Sequence, residues 1–370
     1  MEHLYSTVYN DLYLKIKRGE FKPGDKIPTE KELSDTYAVS RITTRKALDM
    51  LQNDGLVYRV PGRGSFVCDG SAIVPEKNLT NTTPPIEGGL IGLIIEDFAE
   101  NFGAYIVSGV EKACSASGFF LLMKRSCGSQ EEEKKIIDEF RSLGVSGIVI
   151  MPVHGDSYNE AILKLVLDHF PTVLIDRHLK GMPLPYVGTD NFSAAKDLSD
   201  YLFEHGHKKI CMISPPIDDT STISDRKAGF LKSNEDRGIL SEQYILSEIC
   251  STLPSKVPQK SLEADTERII QFLLSNPDVS GILAVEYNIA LIVKQAIEKI
   301  KETVSNKYEI VCFDSPFNYI QKYEFTHARQ DEEGIGETAV HLLMKQLQGI
   351  GSNEIVELPV QLLEKTVVPV

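Results

Sequence analysis

Cationic side chains at helical spacing lie near the start of a predicted helix. Arg41 and Arg45 are four residues apart, so both lie on one face of that helix, and Ser40 is its predicted N-cap. The backbone N–H groups and the helix dipole at this end favour a phosphate, and arginine is suited to paired hydrogen bonds with guanine. Thr43 can donate to a phosphate or contact a thymine methyl group. The pattern indicates a helix end that enters the major groove of DNA.

A third arginine lies at the tip of a predicted hairpin. Arg63 stands between Gly62 and Gly64, which allow a close approach of the backbone. We expect Arg63 to reach the adjacent minor groove or the phosphates. For any one arginine alone, a solvated surface position is the ordinary explanation. Joint placement on a helix and a hairpin favours contact with double-stranded DNA.

Acidic side chains follow several predicted strands in the longer, C-terminal part of the chain: Asp97, Asp176, Asp190 and Asp314. Ligands of open α/β sheets bind beyond the carboxyl ends of the strands, so these acids are expected to converge on a cleft. Carboxylates, amides, arginines and an aromatic face suit a polyhydroxylated ligand, because each hydroxyl both donates and accepts. The alternative is that each acid only caps the helix that follows it. The sequence leaves both open.

Patterns typical of catalysis are missing. The sequence has no G-x-S-x-G or P-loop motif, and Gly62-x-Gly64 lacks the third glycine of a dinucleotide fingerprint. No pair of His or carboxylates shows the spacing of metal ligands, and the six cysteines lie far apart without a C-x-x-C pair. We therefore expect no catalytic residue, no cofactor and no metal, and a chain that is not an enzyme.

The elements that position the arginines form a small N-terminal domain. Apolar residues at helical spacing predict a first helix over residues 4–18, and Thr29 with Glu32 forms a capping box for a second helix that runs to about Tyr37. A third helix follows Ser40 and stops near Gly55. Two helices joined by so short a turn make a helix-turn-helix, and short strands at 56–60 and 65–67 add a hairpin. The prediction is a winged helix-turn-helix.

The elements that position the acids are alternating strands and helices. From Leu90 onward, apolar runs such as IGLIIED, SGIVIMP, PTVLID, KKICMIS, SGILAVE and YEIVCFD alternate with helical patterns. Helices are predicted within 103–117, 131–143, 193–204, 266–274 and 289–300. Such alternation predicts parallel sheets built from βαβ units, and roughly 280 residues favour two α/β lobes over one sheet.

Charge is divided unevenly along the 370 residues, whose formal net charge is −14. Residues 1–68 hold 11 Lys and Arg against 9 Asp and Glu, whereas residues 69–370 hold 28 against 44. Residues 69–89 are rich in Pro, Gly, Thr and Asn without apolar periodicity, which predicts a linker. The predicted domains are therefore 1–68, which binds DNA, the linker 69–89, and 90–370. No apolar run is long enough for a membrane span, and the first 20 residues are amphipathic, so we expect a cytoplasmic protein.

The N-terminal motifs carry a family resemblance. The segment PGDKIPTEKELSDTYAVSRITTRKALDMLQNDGLVYRVPGRGSFV, residues 23–67, resembles the DNA-binding domain of GntR-type bacterial regulators. The resemblance implies that the recognition helix and the wing contact operator DNA through Ser40, Arg41, Thr43, Arg45, Arg63 and Gly64. Thr44 stands where that family usually has an apolar residue, and we expect it to be buried and bonded to a helix carbonyl.

The C-terminal motifs resemble another family over essentially all of residues 90–370. IGLIIEDFAENF, GVEKACSASGF, VLIDR, YVGTDN, DRKAGF, IVCFDS and ARQDEEGIGETAVHLL are similar to the effector domain of LacI/GalR-type repressors, a periplasmic-binding-protein fold. The resemblance implies ligand contacts by Phe102 as a stacking ring, Asp176 and Arg177, Thr220, Thr222 and Arg226 on the loop before AGF, and Asp314 and Gln330 from the other lobe. Glu286-Tyr287, followed by Asn288, replaces the family's common Asn-Asp, so Glu286 would add a charge there.

Together these features predict an α/β chain with an N-terminal winged helix-turn-helix and a two-lobed periplasmic-binding-protein-like domain with parallel sheets. The predicted function is a transcriptional repressor, dimeric, whose operator affinity responds to a small effector, a carbohydrate, bound between the lobes. The linker takes the place of the LacI-type hinge helix. A solute-binding protein would share the C-terminal fold but need a signal peptide. A GntR-type enzyme fusion would need a far longer C-terminal part with a cofactor lysine.

Overall fold

The computed structural model describes residues 4–22, 24–53, 56–60, 64–68, 89–98, 101–153, 159–179, 181–216, 220–252, 258–302, 304, 307–316, 322–351 and 353–366. The chain divides into two compact units, residues 1–84 and 85–370. Residues 69–88 of the predicted linker lie outside the described residues.

Three helices form the first unit: α1 (Leu4–Lys17), α2 (Glu30–Tyr37) and α3 (Arg41–Asn53). The predicted capping box is present, because the Thr29 N–H donates to the Glu32 carboxylate at 2.7 Å and the Glu32 N–H donates back to Thr29 Oγ1 at 3.3 Å. The Ser40 side chain accepts from the Thr43 N–H at 3.2 Å, which confirms Ser40 as the N-cap of α3. All three helices begin where the sequence predicts.

A two-stranded antiparallel hairpin completes this unit. Strand β1 (Val57–Val60) pairs with β2 (Gly64–Val67), with Val57 opposite Val67 and Val60 opposite Gly64. The core of the unit is formed by apolar side chains from all three helices, from β1 and from the segment before α2: Val8, Leu12, Ile27, Leu33, Ala47, Leu48, Leu51 and Val57. The winged helix-turn-helix is confirmed.

The first lobe of the second unit is built mainly from residues 90–189. Its strands and helices are β3 (Leu90–Ile95), α4 (Ala104–Ala116), β4 (Phe120–Arg125), α5 (Gln130–Ser142), β5 (Gly147–Ile150), α6 (Glu160–Leu167), β6 (Thr172–Ile175) and β7 (Tyr186–Thr189). The chain then crosses to the second lobe.

The second lobe contains α7 (Asn191–Glu204), β8 (Ile210–Ile213), α8 (Ser221–Glu235), a 3-10 turn (Glu242–Tyr244), β9 (Ile245–Leu246), α9 (Pro258–Ser275), β10 (Gly281–Ala284), α10 (Tyr287–Ile300), β11 (Glu309–Phe313) and β12 (Thr326–Arg329). The last described elements are α11 (Glu332–Leu347), β13 (Ile355–Leu358) and β14 (Gln361–Leu363).

The two lobes have matching sheets. The six strands of the first are ordered β13-β7-β6-β5-β3-β4, and those of the second β14-β12-β11-β10-β8-β9. All neighbours in these sheets are parallel except β12 and β14. Two helices cross between the lobes. Strand β7 of the first lobe leads into α7, which packs against α8 in the second lobe. Strand β12 of the second lobe leads into α11, which packs against α4 in the first lobe. The predicted two parallel α/β lobes are confirmed.

Within the described part of the chain, no helix combines the length and the apolar character needed to cross a bilayer.

Candidate functional site

The first candidate site is the exposed N-terminal turn of α3. Ser40, Arg41 and Arg45 are exposed, and Thr43 is half-buried beside them. Ser40 Oγ and Thr43 Oγ1 are 2.8 Å apart, so the two hydroxyls form one polar group at the helix end. The structure therefore brings together the four residues predicted for the recognition helix. Arg63 lies outside the described residues.

Arg45 has a partner that sequence reasoning missed. Its Nε lies 3.1 Å from Glu30 Oε1, and a terminal guanidinium nitrogen lies 3.1 Å from Glu30 Oε2, although the Arg45 side chain is still 63% exposed. The hydrogen bonds from Arg45 lower the pKa of Glu30. Glu30 opens α2, so this pair joins the two helices of the helix-turn-helix. The opposite charges of Arg45 and Glu30 were the only signal in the sequence, and the two residues are 15 positions apart, too far for a local pattern to predict the contact.

Two neighbouring positions fit the expected architecture. Thr44 is fully buried, and its hydroxyl donates to the Arg41 carbonyl at 3.0 Å and to the Glu30 carbonyl at 3.2 Å. The predicted burial and helix-carbonyl bond are thus confirmed. Gly64 has φ +114°, and a Cβ there would lie 2.7 Å from Lys26 Cε, so this start of β2 needs glycine.

The second candidate site is a cavity of 220 Å³ in the second unit. Eight of the nine predicted ligand-binding residues line it: Phe102, Asp176, Arg177, Thr222, Arg226, Glu286, Asp314 and Gln330. They come from the ends of β6, β10, β11 and β12 and from the starts of α4 and α8. Residues remote in sequence thus meet at the carboxyl ends of both sheets, as expected for open α/β folds.

Arg177 is held by two carboxylates. A terminal guanidinium nitrogen lies 2.6 Å from Glu96 Oε2 and donates to the Pro152 carbonyl at 2.8 Å, and Nε lies 3.3 Å from Asp176 Oδ2. Burial opposes the charge of Arg177, but Glu96 and Asp176 outweigh burial and raise its pKa. The guanidinium is therefore charged and fixed in orientation.

Arg226 is fixed by neutral groups. It donates to Asn191 Oδ1 at 2.7 Å and to the Val285 carbonyl at 2.6 Å, and its guanidinium carbon lies 3.7 Å from the centre of the Phe313 ring. Burial lowers its pKa. The side chain thus ties α8 to the end of β10 and the start of α7.

Asp314 and Gln330 form a buried chain with the first lobe. Gln330 Nε2 donates to both Asp314 oxygens at 3.0 Å, and Gln330 Oε1 accepts from Thr189 Oγ1 at 2.6 Å. Burial raises the pKa of Asp314 to about 8, although Arg226 and Gln330 act in the opposite direction. Thr189 ends β7, so this chain of hydrogen bonds connects the two sheets.

One placement differs from the prediction. Thr222 and Arg226 lie within α8 rather than on a loop, because Thr220 caps that helix, with its hydroxyl accepting from the Ile223 N–H at 3.5 Å. Thr220 is outside the cavity lining and supports Thr222, whose Oγ1 lies 2.7 Å away. A threonine N-cap followed by Ser-Thr-Ile was the signal for this helix.

Of the four acids that follow strands, one caps the next helix and three line the cavity. Asp190 caps α7, its Oδ1 accepting from the Ser193 N–H at 2.9 Å. Asp176 and Asp314 instead have left-handed backbones, with φ of 64° and 63°, and both line the cavity. Asp97 also lines the cavity and forms a 2.9 Å ion pair with Arg125.

Sequence reasoning missed Glu96 as a cleft residue. Glu96 is 3% exposed and follows β3 directly, one residue before the Asp97 that was predicted. Tyr287 and Asn288 also line the cavity, at the start of α10. The position of each at a strand end or a helix start was the signal. Among the described residues, no group of three or more His, Cys, Asp or Glu could hold a metal ion.

Comparison with protein families assigns both units. Residues 91–349, more than half of the chain, match the model described as "Periplasmic binding protein domain", and residues 4–67 match "Bacterial regulatory proteins, gntR family". The chain therefore belongs to the periplasmic-binding-protein domain family and carries a GntR-type DNA-binding domain at its N-terminal end.

Individual relatives agree with this assignment. The chain is 26% identical over 353 residues to the arabinose metabolism transcriptional repressor of Geobacillus stearothermophilus, covering 93% of this chain and 91% of the relative. It shares its fold with a putative ribose operon repressor from Burkholderia thailandensis, with a TM-score of 0.62 and 21% identity; the match covers 75% of this chain and 99% of that chain. A periplasmic binding protein/LacI transcriptional regulator from Alkaliphilus metalliredigens, complexed with D-xylulofuranose, has a TM-score of 0.58 and 21% identity. That match covers 76% of this chain and 100% of the other chain.

These matches give the chain a DNA-binding domain of the bacterial regulatory GntR type and a second domain of the periplasmic-binding-protein fold. The full-length relative is named as a repressor, a protein class that performs no catalysis.

Proposed function

We propose that this chain is a cytoplasmic repressor that binds operator DNA as a dimer and is controlled by a small carbohydrate bound in the cleft of its second unit. The observation that carries the proposal is the meeting of eight predicted binding residues in one cavity. The match of residues 4–67 to the GntR model supports the DNA-binding part. It also disfavours a solute-binding protein, which would have no use for a winged helix-turn-helix.

Exposure and position support the proposed DNA contacts. Arg41 and Arg45 are exposed at the N-terminal end of α3, where the helix dipole adds to their positive charge. Arg45 is presented by Glu30, so its guanidinium has a preferred direction before DNA arrives. Arg63 and Gly64 of the hairpin are proposed to contact the adjacent groove or the phosphates. A dimer would present two such readers to half-sites about 34 Å apart or a multiple of that distance.

The chemistry of the cleft supports a carbohydrate. Its volume is below the range of about 300 to 1,000 Å³ for drug-sized ligands, which suits a small molecule. Carboxylates and amides can accept from hydroxyl groups, arginines can donate to them, and the Phe102 ring can stack on a sugar face. The relative complexed with D-xylulofuranose has the same fold, which is consistent with this choice.

The hydrogen bonds between the lobes suggest how a ligand would act. Gln330 contacts both Asp314 in the cleft and Thr189 of the other sheet. A ligand that bonds to Asp314 would change this connection and favour one arrangement of the lobes. Altered spacing or freedom of the two readers in a dimer would then change operator affinity.

Operator binding by Arg45→Ala tests the proposed reader. An operator is first selected from random duplexes with the unmodified protein, and gel-shift titrations are then run at fixed salt. We expect the variant to lose about 1 to 3 kcal/mol of binding free energy and to relax its preference at one base pair. The control is Lys22→Ala, which removes an exposed cation outside α3. Unchanged affinity in the Arg45 variant would exclude this residue from operator recognition.

Ligand binding by Asp314→Ala tests the proposed cleft. The change removes the acceptor of both Gln330 hydrogen bonds, so we expect loss of the ligand-induced change in operator affinity with ligand-free DNA binding intact. Isothermal calorimetry measures the ligand, and gel shifts measure the DNA. The matched control is Asp168→Ala, an exposed acid paired with Arg141. Full-strength ligand binding by the Asp314 variant would show that the ligand binds elsewhere.

A further inference from the structure

The cleft cavity holds an excess of acidic side chains. Among the described residues that line it, Arg177 and Arg226 face five acids: Glu96, Asp97, Asp176, Glu286 and Asp314. Asp97 is balanced by Arg125, which is not part of the lining. Burial raises the pKa of Asp314 to about 8, so at neutral pH Glu96, Asp176 and Glu286 remain as negative charges against the two arginines. A phosphate or carboxylate that enters the cavity therefore meets an unfavourable potential.

Both cleft arginines already have partners. Two carboxylates lie beside Arg177: Glu96 Oε2 is 2.6 Å from a terminal guanidinium nitrogen and Asp176 Oδ2 is 3.3 Å from Nε. Arg226 donates to Asn191 and Val285 and covers the Phe313 ring. An anionic ligand that bonded to Arg177 would therefore compete with two carboxylates for its guanidinium.

The helix ends that could attract an anion are also occupied. The N–H groups of Gly103 and Tyr105 at the start of α4 donate to Glu332 Oε2 at 2.7 and 3.2 Å. Thr220 caps α8. The N-cap position of α10 is Glu286, whose side chain makes no capping hydrogen bond but brings an acidic group to this part of the cavity lining.

We propose that this cleft selects polyhydroxylated ligands that lack a phosphate or carboxylate group, and that Glu286 is the residue that excludes such anions. The inference rests on the proposed function and narrows its ligand class. Glu286 interacts electrostatically with both Arg177 and Arg226, so its charge offsets the two cations that an anionic ligand would need. Burial raises the pKa of Asp314 to about 8, so its carboxyl can also donate to a hydroxyl at neutral pH.

Matched sugars test this selection on the full chain. D-ribose, L-arabinose, D-xylose, D-glucose and D-galactose are each compared with their phosphate esters and aldonic acids by thermal shift and calorimetry. We expect a neutral sugar to bind and its phosphate and acid to bind at least about tenfold more weakly. Equal or tighter binding of an anionic member would overturn the proposal. So would the absence of binding by every neutral sugar.

A charge-removing substitution tests the assigned residue. Glu286→Gln is compared with Glu324→Gln, which removes the same charge from an exposed position paired with Lys294. Affinity for the phosphate and acid forms is expected to rise about tenfold in the first variant and to stay unchanged in the second. An equal change of anion affinity in the two variants would show that Glu286 is not the residue that excludes anions. The wild-type panel stands on its own if the Glu286 variant does not fold.

Operator gel shifts separate this inference from the function on which it rests. Release of the operator by a sugar phosphate would contradict the selection against anions and leave a ligand-controlled repressor in place. Binding of a neutral sugar without any change in operator affinity would support the selection and contradict ligand control.

Discussion

Asp314 has an unusual environment among the acids of the cleft. It is 8% exposed, its backbone is left-handed with φ 63°, and Gln330 donates to both of its oxygens. Burial raises its pKa to about 8. A left-handed conformation is unfavourable for a residue other than glycine, and a buried charge is unfavourable unless it is paired. Both features agree with a residue kept for binding rather than for stability.

The raised pKa of Asp314 predicts a pH dependence of unfolding. The folded protein keeps this proton up to about pH 8, whereas an unfolded chain loses it near the ordinary value of 3.8. Its contribution to stability is therefore complete below pH 3.8 and is lost as the pH rises to 8, with a slope of up to about 1.4 kcal/mol per unit. Asp314→Asn should exceed wild type in melting temperature by clearly more at pH 8.5 than at pH 5, because wild type loses most of this stability between those two pH values.

Asp200→Asn is a control of opposite sign. Burial opposes the charge of Asp200, but bonds from Lys196, Ser233 and Arg237 outweigh burial and lower its pKa. This variant should lose stability at both pH values, since the carboxylate is ionised and bonded at each. An equal gain by Asp314→Asn at pH 5 and pH 8.5 would contradict a raised pKa.

Some single residues could be placed from the sequence and others could not. The burial of Thr44 was predicted from the resemblance to GntR-type domains, which usually have an apolar residue at this position. Glu133 illustrates the reverse. It belongs to the acidic run EEEKK, which is typical of a solvated helix face, yet it is 1% exposed and accepts from Val153 and Asn159. Its spacing from Ile136, Ile137 and Phe140 was the signal, and its charge obscured that signal.

Helices α4 and α11 cross at very close range. A Cβ on Gly109 would lie 2.3 Å from the Glu333 carbonyl oxygen, and one on Gly336 would lie 2.5 Å from the Ile106 carbonyl oxygen. Both obstacles are backbone atoms, so no side chain can move aside. The same helices are joined by Lys112, which bridges Glu333 and Glu337 at 2.9 and 2.7 Å. The crossing therefore depends on glycine at both positions.

Gly336→Ala should destabilise the second unit. The added methyl group overlaps the backbone of α4, and overpacking of this kind costs about 1 to 3 kcal/mol. Chemical denaturation followed by circular dichroism measures the loss. Gly351→Ala is the matched control, because an added Cβ there meets nothing within 4 Å. Similar stability of both variants would mean that α4 and α11 can move apart with little loss of free energy of unfolding.

The sequence predicts elements better than it predicts their arrangement. Caps, stops and apolar alternation located α1 to α3, the hairpin and most strands of the second unit. The predicted helical segments leave out α6, α8 and α11. Helix α6 is short, and Thr222 and Arg226 interrupt the apolar pattern of α8. The strand order, the antiparallel β14 and the exchange of α7 and α11 depend on contacts between distant residues, which local periodicity does not encode.

Charge is segregated over the whole molecule. Residues 1–68 carry two more cations than anions, and the rest of the chain carries 16 more anions than cations. The total of −14 therefore describes the larger unit and is uninformative about the smaller one. An acidic second unit is repelled by DNA, so we expect operator affinity to rest on a few directed arginines.

Weak non-specific binding to DNA is the expected consequence. At physiological salt, we expect the full chain to bind a selected operator at least about a thousandfold more tightly than a random duplex of equal length. Fluorescence anisotropy over a range of salt concentrations measures both affinities. Comparable tight binding to both duplexes would show that the acidic unit does not limit adsorption.

The exchange of α7 and α11 has a consequence for synthesis on the ribosome. Helix α11 and strand β13 belong to the first lobe, and strand β14 belongs to the second. Each sheet is therefore incomplete until residues beyond 331 have been synthesised. Until these residues emerge, Val173, Ile175 and Val187 lack the cover that Ile335, Val340 and Leu343 provide. Neither lobe can then be completed first, and one late segment closes both cores together. A nascent chain halted before α11 would expose an unfinished apolar sheet to chaperones and proteases.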